Sequence, residues 1–201
     1  MELNKETPLC KLAYKYGTDK CPKIRHLYTL AYYELLKDKR ESIKKVLEMG
    51  IGCYKTMHHL KGFEGYRTGA SLYMWRDFFP NAQIYGADNY QRTIFEDKRI
   101  KTFLCDETKK EDLQNLISKV GNDVDLFIDD GSHKAEDQIF MCKTLMPFFQ
   151  KKVLYIIEDI VDEKKIVNAL SEYKRDIIRI YSERKNFYPN DNEVLITVQK
   201  K

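Results

Sequence analysis

The sequence predicts an α/β protein with a doubly wound, mainly parallel sheet. Three observations carry this reading. Short apolar runs alternate with helical patterns from Lys45 onward, the interior runs are apolar without interruption, and run after run stops at an acid. Alternation of strands and helices implies right-handed βαβ crossovers, and parallel strands buried on both faces read as continuous apolar segments.

Taken in order, residues 24–39 predict an amphipathic helix, because Leu27, Leu30, Ala31, Leu35 and Leu36 recur near helical spacing among Arg25, Glu34 and Lys37. Residues 45–52 form a strand running into Gly50 and Gly52. A turn-rich stretch from Cys53 to Thr68 follows, to be read as an active-site flap or a surface excursion, and a helix over 70–79 is stopped by Pro80. Strands are expected at 83–87, Ile100–Leu104, 124–128 and 153–157, with helices at Lys110–Val120, 134–149 and 163–173 between or after them. Strands at 176–181 and 193–198 have no helix between them, only a loop with Pro189, so they pair antiparallel at one edge of a Rossmann-like sheet. Trp75, Phe78 and Phe79 are read as core.

Length and composition fit one domain over residues 1–201, with a helical cap region at 1–40 and the core at 41–201. Apolar residues make up 43% and charged residues 33%, a balance that excludes a disordered chain. No apolar run nears the ~20 residues that span a bilayer, and the N-terminal segment lacks a signal-peptide core, so a cytoplasmic location is expected. The five cysteines are scattered without a C-x-x-C pair, which suits reduced thiols rather than structural zinc. A formal charge of +4, with its lysines dispersed, does not predict nucleic-acid binding. Self-association into a homo-oligomer is compatible with all of this.

The acids carry the functional signal. Ligands of open α/β sheets bind beyond the carboxyl ends of the strands. Here those ends bear Glu48, Asp88, Asp106, Asp129-Asp130 and Glu158-Asp159. One acid after a strand is ordinarily a cap, but such a rim repels a pyrophosphate and suits a ligand with a sulfonium, an ammonium and ribose hydroxyls. Gly50 and Gly52 permit a tight turn and a close backbone approach to that ligand. In Asp130-Gly-Ser-His133 a carboxylate is followed three residues later by a histidine at a helix start, and Glu158-Asp159 closes the next strand. Asp130, Glu158 and Asp159 therefore converge on one hard cation, Mg2+ or Mn2+ rather than zinc. The lack of two suitably spaced histidines argues against a facial-triad iron site.

In combination these segments resemble a known family. Glu48–Gly52, the stretch Gly69-Ala-Ser-Leu72 with Trp75 and Phe79-Pro-Asn81, Ile84–Asp88, Ile128–His133 and Glu158–Ile160 together are similar to the metal-dependent sugar O-methyltransferases of macrolide biosynthesis, the mycinamicin-methyltransferase type. Tyr16-Gly-Thr-Asp-Lys20 with His26, Tyr28 and Tyr32 resembles their N-terminal signature. The resemblance implies that Glu48, Gly50 and Asp88 hold S-adenosylmethionine and that Asp106 lies near its adenine. Gly52, Asp129, Thr18 and Lys20 complete the expected donor site, Asp130, Glu158 and Asp159 bind magnesium, and His133 is the general base. The expected reaction is methyl transfer to a sugar hydroxyl. The extra N-terminal domain of the macrolide enzymes has no counterpart in these residues, so a nucleotide sugar or a glycan is the expected acceptor. Two alternatives stay open: methylation of an RNA ribose 2′-hydroxyl, and a catalytically silent donor-binding module.

Overall fold

The structure, a computed structural model, describes residues 6–53, 55, 57, 60, 66–150, 152–181 and 192–201. Most of the expected Cys53–Thr68 loop and the loop with Pro189 lie outside the described residues. Eight strands form one sheet in the order β3-β4-β2-β1-β5-β6-β8-β7. They are β1 (Lys45–Met49), β2 (Gln83–Asp88), β3 (Glu96–Asp97), β4 (Ile100–Leu104), β5 (Leu126–Asp129), β6 (Leu154–Ile157), β7 (Lys174–Tyr181) and β8 (Asn192–Gln199). The β4-β2-β1-β5-β6 core is parallel.

The chain builds outward from β1 to β2 and β4, then returns to the other side of β1 for β5 and β6. That reversal puts a topological switch point between β1 and β5, where such sheets bind ligands.

Side chains alternate across each strand, and the core divides accordingly. Val46, Ile84, Leu126, Ile128, Leu154 and Ile156 face α1 (Pro8–Tyr16), α2 (Tyr28–Leu36) and α3 (Ala70–Phe78). Leu47, Met49, Phe127, Tyr155 and Ile157 face α4 (Lys110–Val120), α5 (Ala135–Leu145) and α6 (Glu163–Ala169). Trp75, Phe78 and Phe79 are fully buried, as core residues should be.

Several elements differ from expectation. Helix α1 was not foreseen, although its punctuation is written locally. Thr7 Oγ1 accepts the Cys10 N–H at 3.1 Å, Pro8 opens the helix, and Gly17 ends it at φ 73°. The helix predicted over 24–39 starts only at Tyr28, because residues 21–26 form turns through Ile24 N–H to Cys21 O and His26 N–H to Asp19 O. The helix expected over 134–149 stops at Leu145, with Met146 still helical and Pro147 after it, which has no N–H to continue the ladder. The helix expected over 163–173 stops at Ala169. The last two strands are antiparallel as expected, with β8 inserted between β6 and β7, so β7 is the edge. A two-residue antiparallel strand, β3, closes the opposite edge.

Helix α2 gets no cap from Leu27 at its start. Glu193 of β8 serves instead: its Oε2 accepts the Leu27 N–H at 2.6 Å and its Oε1 lies 2.8 Å from His26 Nδ1. Burial alone would push the His26 imidazolium pKa down, but Glu193, with Asp159 and Asp19, outweighs this and raises it above the ordinary value. A raised histidine pKa stabilises the fold fully below the unfolded value of about 6.5 and stops doing so as pH rises through the folded value. Accordingly, the stability lost in His26→Gln should be larger at pH 6 than at pH 9 by urea denaturation. A loss independent of pH would show that the ion pair contributes nothing.

Candidate active site

At the switch point a cavity of about 650 Å³ opens beyond the ends of β1, β2, β5 and β6. Its floor comes from Gly50 and Gly52 after β1. Gly50 sits at φ 92°, and a Cβ on it would lie 1.9 Å from Asp130 O, so only glycine allows the β1 and β5 ends to touch there. Asp88, at the end of β2, fixes this loop. Its Oδ2 accepts the Ile51 and Gly52 N–H groups at 2.9 and 3.3 Å, and its Oδ1 accepts the Tyr90 N–H at 2.9 Å.

The acidic wall is assembled around one lysine. Lys20 Nζ donates to Asp130 Oδ2 at 2.5 Å and Glu158 Oε2 at 2.6 Å and lies 3.5 Å from Glu48 Oε1, in a site where its side chain is only 2% exposed. Burial opposes the charge, but Asp130, Glu158 and Glu48 overcome it and hold the lysine pKa well above its usual value. Burial likewise pushes Asp130 up, but Lys20 and His133 prevail and bring its pKa to about 2. Glu158 goes the other way: burial, against the pull of Lys20 and with Asp130, Asp159 and Glu48 adding to it, raises its carboxyl well above the usual range. Glu158 Oε1 accepts from Tyr32 Oη at 2.5 Å.

At the cavity surface, His133 Nε2 lies 3.3 Å from Asp130 Oδ1 and 3.5 Å from Asp159 Oδ2. A carboxylate oxygen of each aspartate and a ring nitrogen of His133 lie within 4.8 Å of one another, so the two aspartates can share a cation with the imidazole beside it. Hydrogen bonding to Asp130, against burial and with the field of Asp159, raises the His133 pKa to about 9. His133 and Asp159 both adopt left-handed backbone, at φ 60° and 48°. Such conformations of non-glycine residues cost roughly 1–3 kcal/mol each and gather at functional sites.

Of the residues singled out in the sequence, Thr18, Lys20, Gly50, Gly52, Asp88, Asp130, His133, Glu158 and Asp159 line this cavity. Three do not. Glu48 is fully buried on the α3 face, where its Oε2 accepts the Trp75 indole N–H at 2.6 Å, and burial, partly offset by Lys20, lifts its pKa to about 7. Asp129 points into the opposite core, accepts from Tyr155 Oη at 3.2 Å, and has its pKa raised to about 8 by burial and by Glu107. Asp106 turns back on its own loop, with Oδ1 accepting from Thr108 N–H and Oγ1 at 3.1 and 2.7 Å. Its neighbour Glu107 faces the cavity instead and takes the Ser132 N–H at 2.6 Å. Lys20, expected at the donor, sits among the carboxylates. Nothing in the sequence distinguishes Asp106 from Glu107 for this role, since the choice depends on how the loop turns after β4.

No protein-family profile matches the sequence. It is 34% identical over 156 residues to mycinamicin VI 2″-O-methyltransferase of Micromonospora griseorubida, covering 78% of this chain and 37% of that protein. It is also 34% identical over 152 residues to demethylmacrocin O-methyltransferase of Streptomyces fradiae, covering 76% and 36%. The structure of the MycE methyltransferase of the mycinamycin biosynthetic pathway, in complex with Mg, SAH and mycinamycin VI, superposes with a TM-score of 0.71 at 26% identity over 96% of this chain and 54% of that one. By sequence and by fold, the chain is similar to these O-methyltransferases. Its fold is that of the class I S-adenosylmethionine-dependent methyltransferases. The chain spans under two fifths of the length of the curated relatives it matches. Among the described residues, no helix is long and apolar enough to cross a membrane.

Two outcomes follow for the cavity floor and the buried acid. Gly50→Ala should destabilise by more than about 3 kcal/mol in urea, while Gly52→Ala, whose Cβ would come no nearer than 3.2 Å to the flexible Met57 side chain, should cost about 1–2 kcal/mol for its left-handed φ. Equal losses would refute the contact with Asp130. An acid whose pKa is raised on folding loses stability as pH climbs from its unfolded value toward the folded one. Asp129→Asn should therefore gain stability relative to the parent chain between pH 4 and pH 8, and a flat difference would show that Asp129 is ionised in the fold.

Proposed function

We propose that this chain takes part in a metal-assisted transfer of the methyl group of S-adenosylmethionine to a sugar hydroxyl. The observation that carries the reading is the convergence of Asp130, His133 and Asp159 opposite the Gly50–Gly52 loop in a single cavity. The relatives are named as O-methyltransferases of mycinamicin VI and of demethylmacrocin, and the MycE structure holds Mg, SAH and mycinamycin VI. The cavity fits both groups. Asp88, Glu107, Asp130, Glu158 and Asp159 line it, which favours a donor carrying sulfonium and ammonium charges. Gly50 and Gly52 line the cavity without side chains, which allows close approach, and Asp88 Oδ1, with one N–H bonded, keeps capacity for a ribose hydroxyl.

Asp130 and Asp159 would hold the cation, and their carboxylate oxygens suit Mg2+ or Mn2+; Glu158, the third expected ligand, has both oxygens engaged by Lys20 and Tyr32 and stands behind them. Such a cation supplies Lewis acidity that lowers the pKa of a coordinated hydroxyl. The remaining tasks fall to the chain. Closing the glycine loop against Asp130 sets the distance between donor and acceptor. Alignment is the main requirement when the methyl carbon is already activated by sulfur, because the acceptor oxygen forms its bond to that carbon as the carbon–sulfur bond breaks. His133, at the cavity surface, takes the acceptor's proton on Nε2. Its high pKa arises chiefly from its hydrogen bond to Asp130 and from the field of Asp159, so a cation bound to those two carboxylates would favour the neutral imidazole, which accepts a proton. The acceptor we favour is the sugar of a small molecule, a nucleotide sugar among the candidates.

The direct test supplies methyl-labelled S-adenosylmethionine with nucleotide sugars, glycosides and short RNAs, in Mg2+ or in EDTA. Label on a sugar only with Mg2+ is expected; label on RNA, or equal transfer in EDTA, would overturn the reading. In the same assay His133→Ala should lose about 10²–10⁴-fold in turnover while donor binding by calorimetry persists. Undiminished turnover would remove His133 from the base role.

A further inference from the structure

The three acids at the ends of β5 and β6 come from the sheet, but their rotamers are set by a different part of the chain. Asp130 and Asp159 each have one oxygen, and Glu158 both, held from behind by the segment that runs from Lys20 to α2. Lys20 holds Asp130 Oδ2 and Glu158 Oε2, and Tyr32 holds Glu158 Oε1. Tyr28 makes the most complete contact. Its hydroxyl donates to Asp159 Oδ1 at 3.0 Å and accepts the Asp159 backbone N–H at 3.2 Å. One phenol thus fixes both the side chain and the left-handed backbone of Asp159, at φ 48°. Tyr28 and Tyr32 are buried, at 2% and 0% exposure, so neither reaches the cavity. Tyr28 is itself fixed by parallel stacking on His26, with ring centroids 4.8 Å apart and planes within 4°. What these contacts leave facing the cavity is Asp130 Oδ1 and Asp159 Oδ2, the two oxygens that flank His133.

We propose that Tyr28, directly through Asp159, and Tyr32, through Glu158 and the Lys20 that holds Asp130, are positioning residues for a divalent cation, presetting Asp130 and Asp159 so that their cavity-side oxygens are ready to bind. The inference rests on the metal reading above. Residues that orient ligands from behind typically govern metal affinity by 10–100-fold, because an unheld carboxylate must lose rotamer freedom when the ion binds. The function resides in the phenol oxygens alone, so replacing each ring with Phe keeps the packing of α2.

Mn2+ titrations of the full chain, followed by the electron paramagnetic resonance signal of the free ion, test this directly. Tyr28→Phe and Tyr32→Phe should each weaken Mn2+ binding about 10-fold or more. Tyr33→Phe, on the same helix but packed on Phe78, should bind as the parent does. Thermal melting identifies a variant that has not folded, in which case the other tyrosine carries the test. Unchanged Mn2+ affinity in the folded Tyr28 and Tyr32 variants overturns the positioning role and leaves the metal site standing. Weakening of equal size in Tyr33→Phe would assign the effect to the helix as a whole and overturn it too. Absence of Mn2+ binding by the parent chain overturns the metal reading and this inference together.

Discussion

The buried ammonium of Lys20 is the contact on which the rest of the arrangement depends. Glu48, Asp130, Glu158 and Asp159 gather at three adjacent strand ends, and without a cation among them their mutual repulsion and desolvation would oppose folding. Lys20 supplies that cation at 2% exposure, reaching two carboxylates within 2.6 Å. Bringing an ammonium and carboxylates out of water costs several kcal/mol per ion, which only close pairing and additional hydrogen bonds can offset. Trp75, Tyr32 and Tyr28 provide those bonds to Glu48, Glu158 and Asp159.

Because Lys20 lies 110 residues from Asp130 and 138 from Glu158 in sequence, the same contact also fastens the N-terminal segment across the sheet. Helices α1 and α2 then cover the face that α3 alone would leave half exposed, and Glu193 of β8 closes the arrangement by capping α2. Site and fold are therefore coupled. The elements that complete one layer of the core are the ones that orient the acids at the cavity.

The sheet was legible because its physics is local. Strands buried on both faces must be apolar throughout, as 126–128 and 154–157 are, and a chain leaving such a strand needs a polar or flexible residue, hence the acids and glycines. Helix α1 was legible as well, since Leu9, Cys10, Ala13 and Tyr16 recur at helical spacing and Thr7, Pro8 and Gly17 mark its ends, but at nine residues it is short for its pattern to stand out. The strand-end rule also overreached. It treated Glu48, Asp106 and Asp129 as site residues, but strand pleating sends Glu48 to the α3 face and Asp129 into the opposite core. A residue's parity along a strand decides its face, and parity cannot be read until the register is fixed.

By itself the sequence determined the layered α/β architecture, the location of a cavity beyond β1, β2, β5 and β6, and a donor set of oxygens with one histidine. These follow from hydrophobic periodicity and from the residue types that strand ends require. Only the tertiary structure decided which oxygens of those acids face the cavity, that Glu107 rather than Asp106 lines it, and that Lys20 belongs to the carboxylates. Each of those outcomes is set by contacts between residues far apart in the chain, made only when the N-terminal segment docks on the finished sheet, and local pattern carries no record of them.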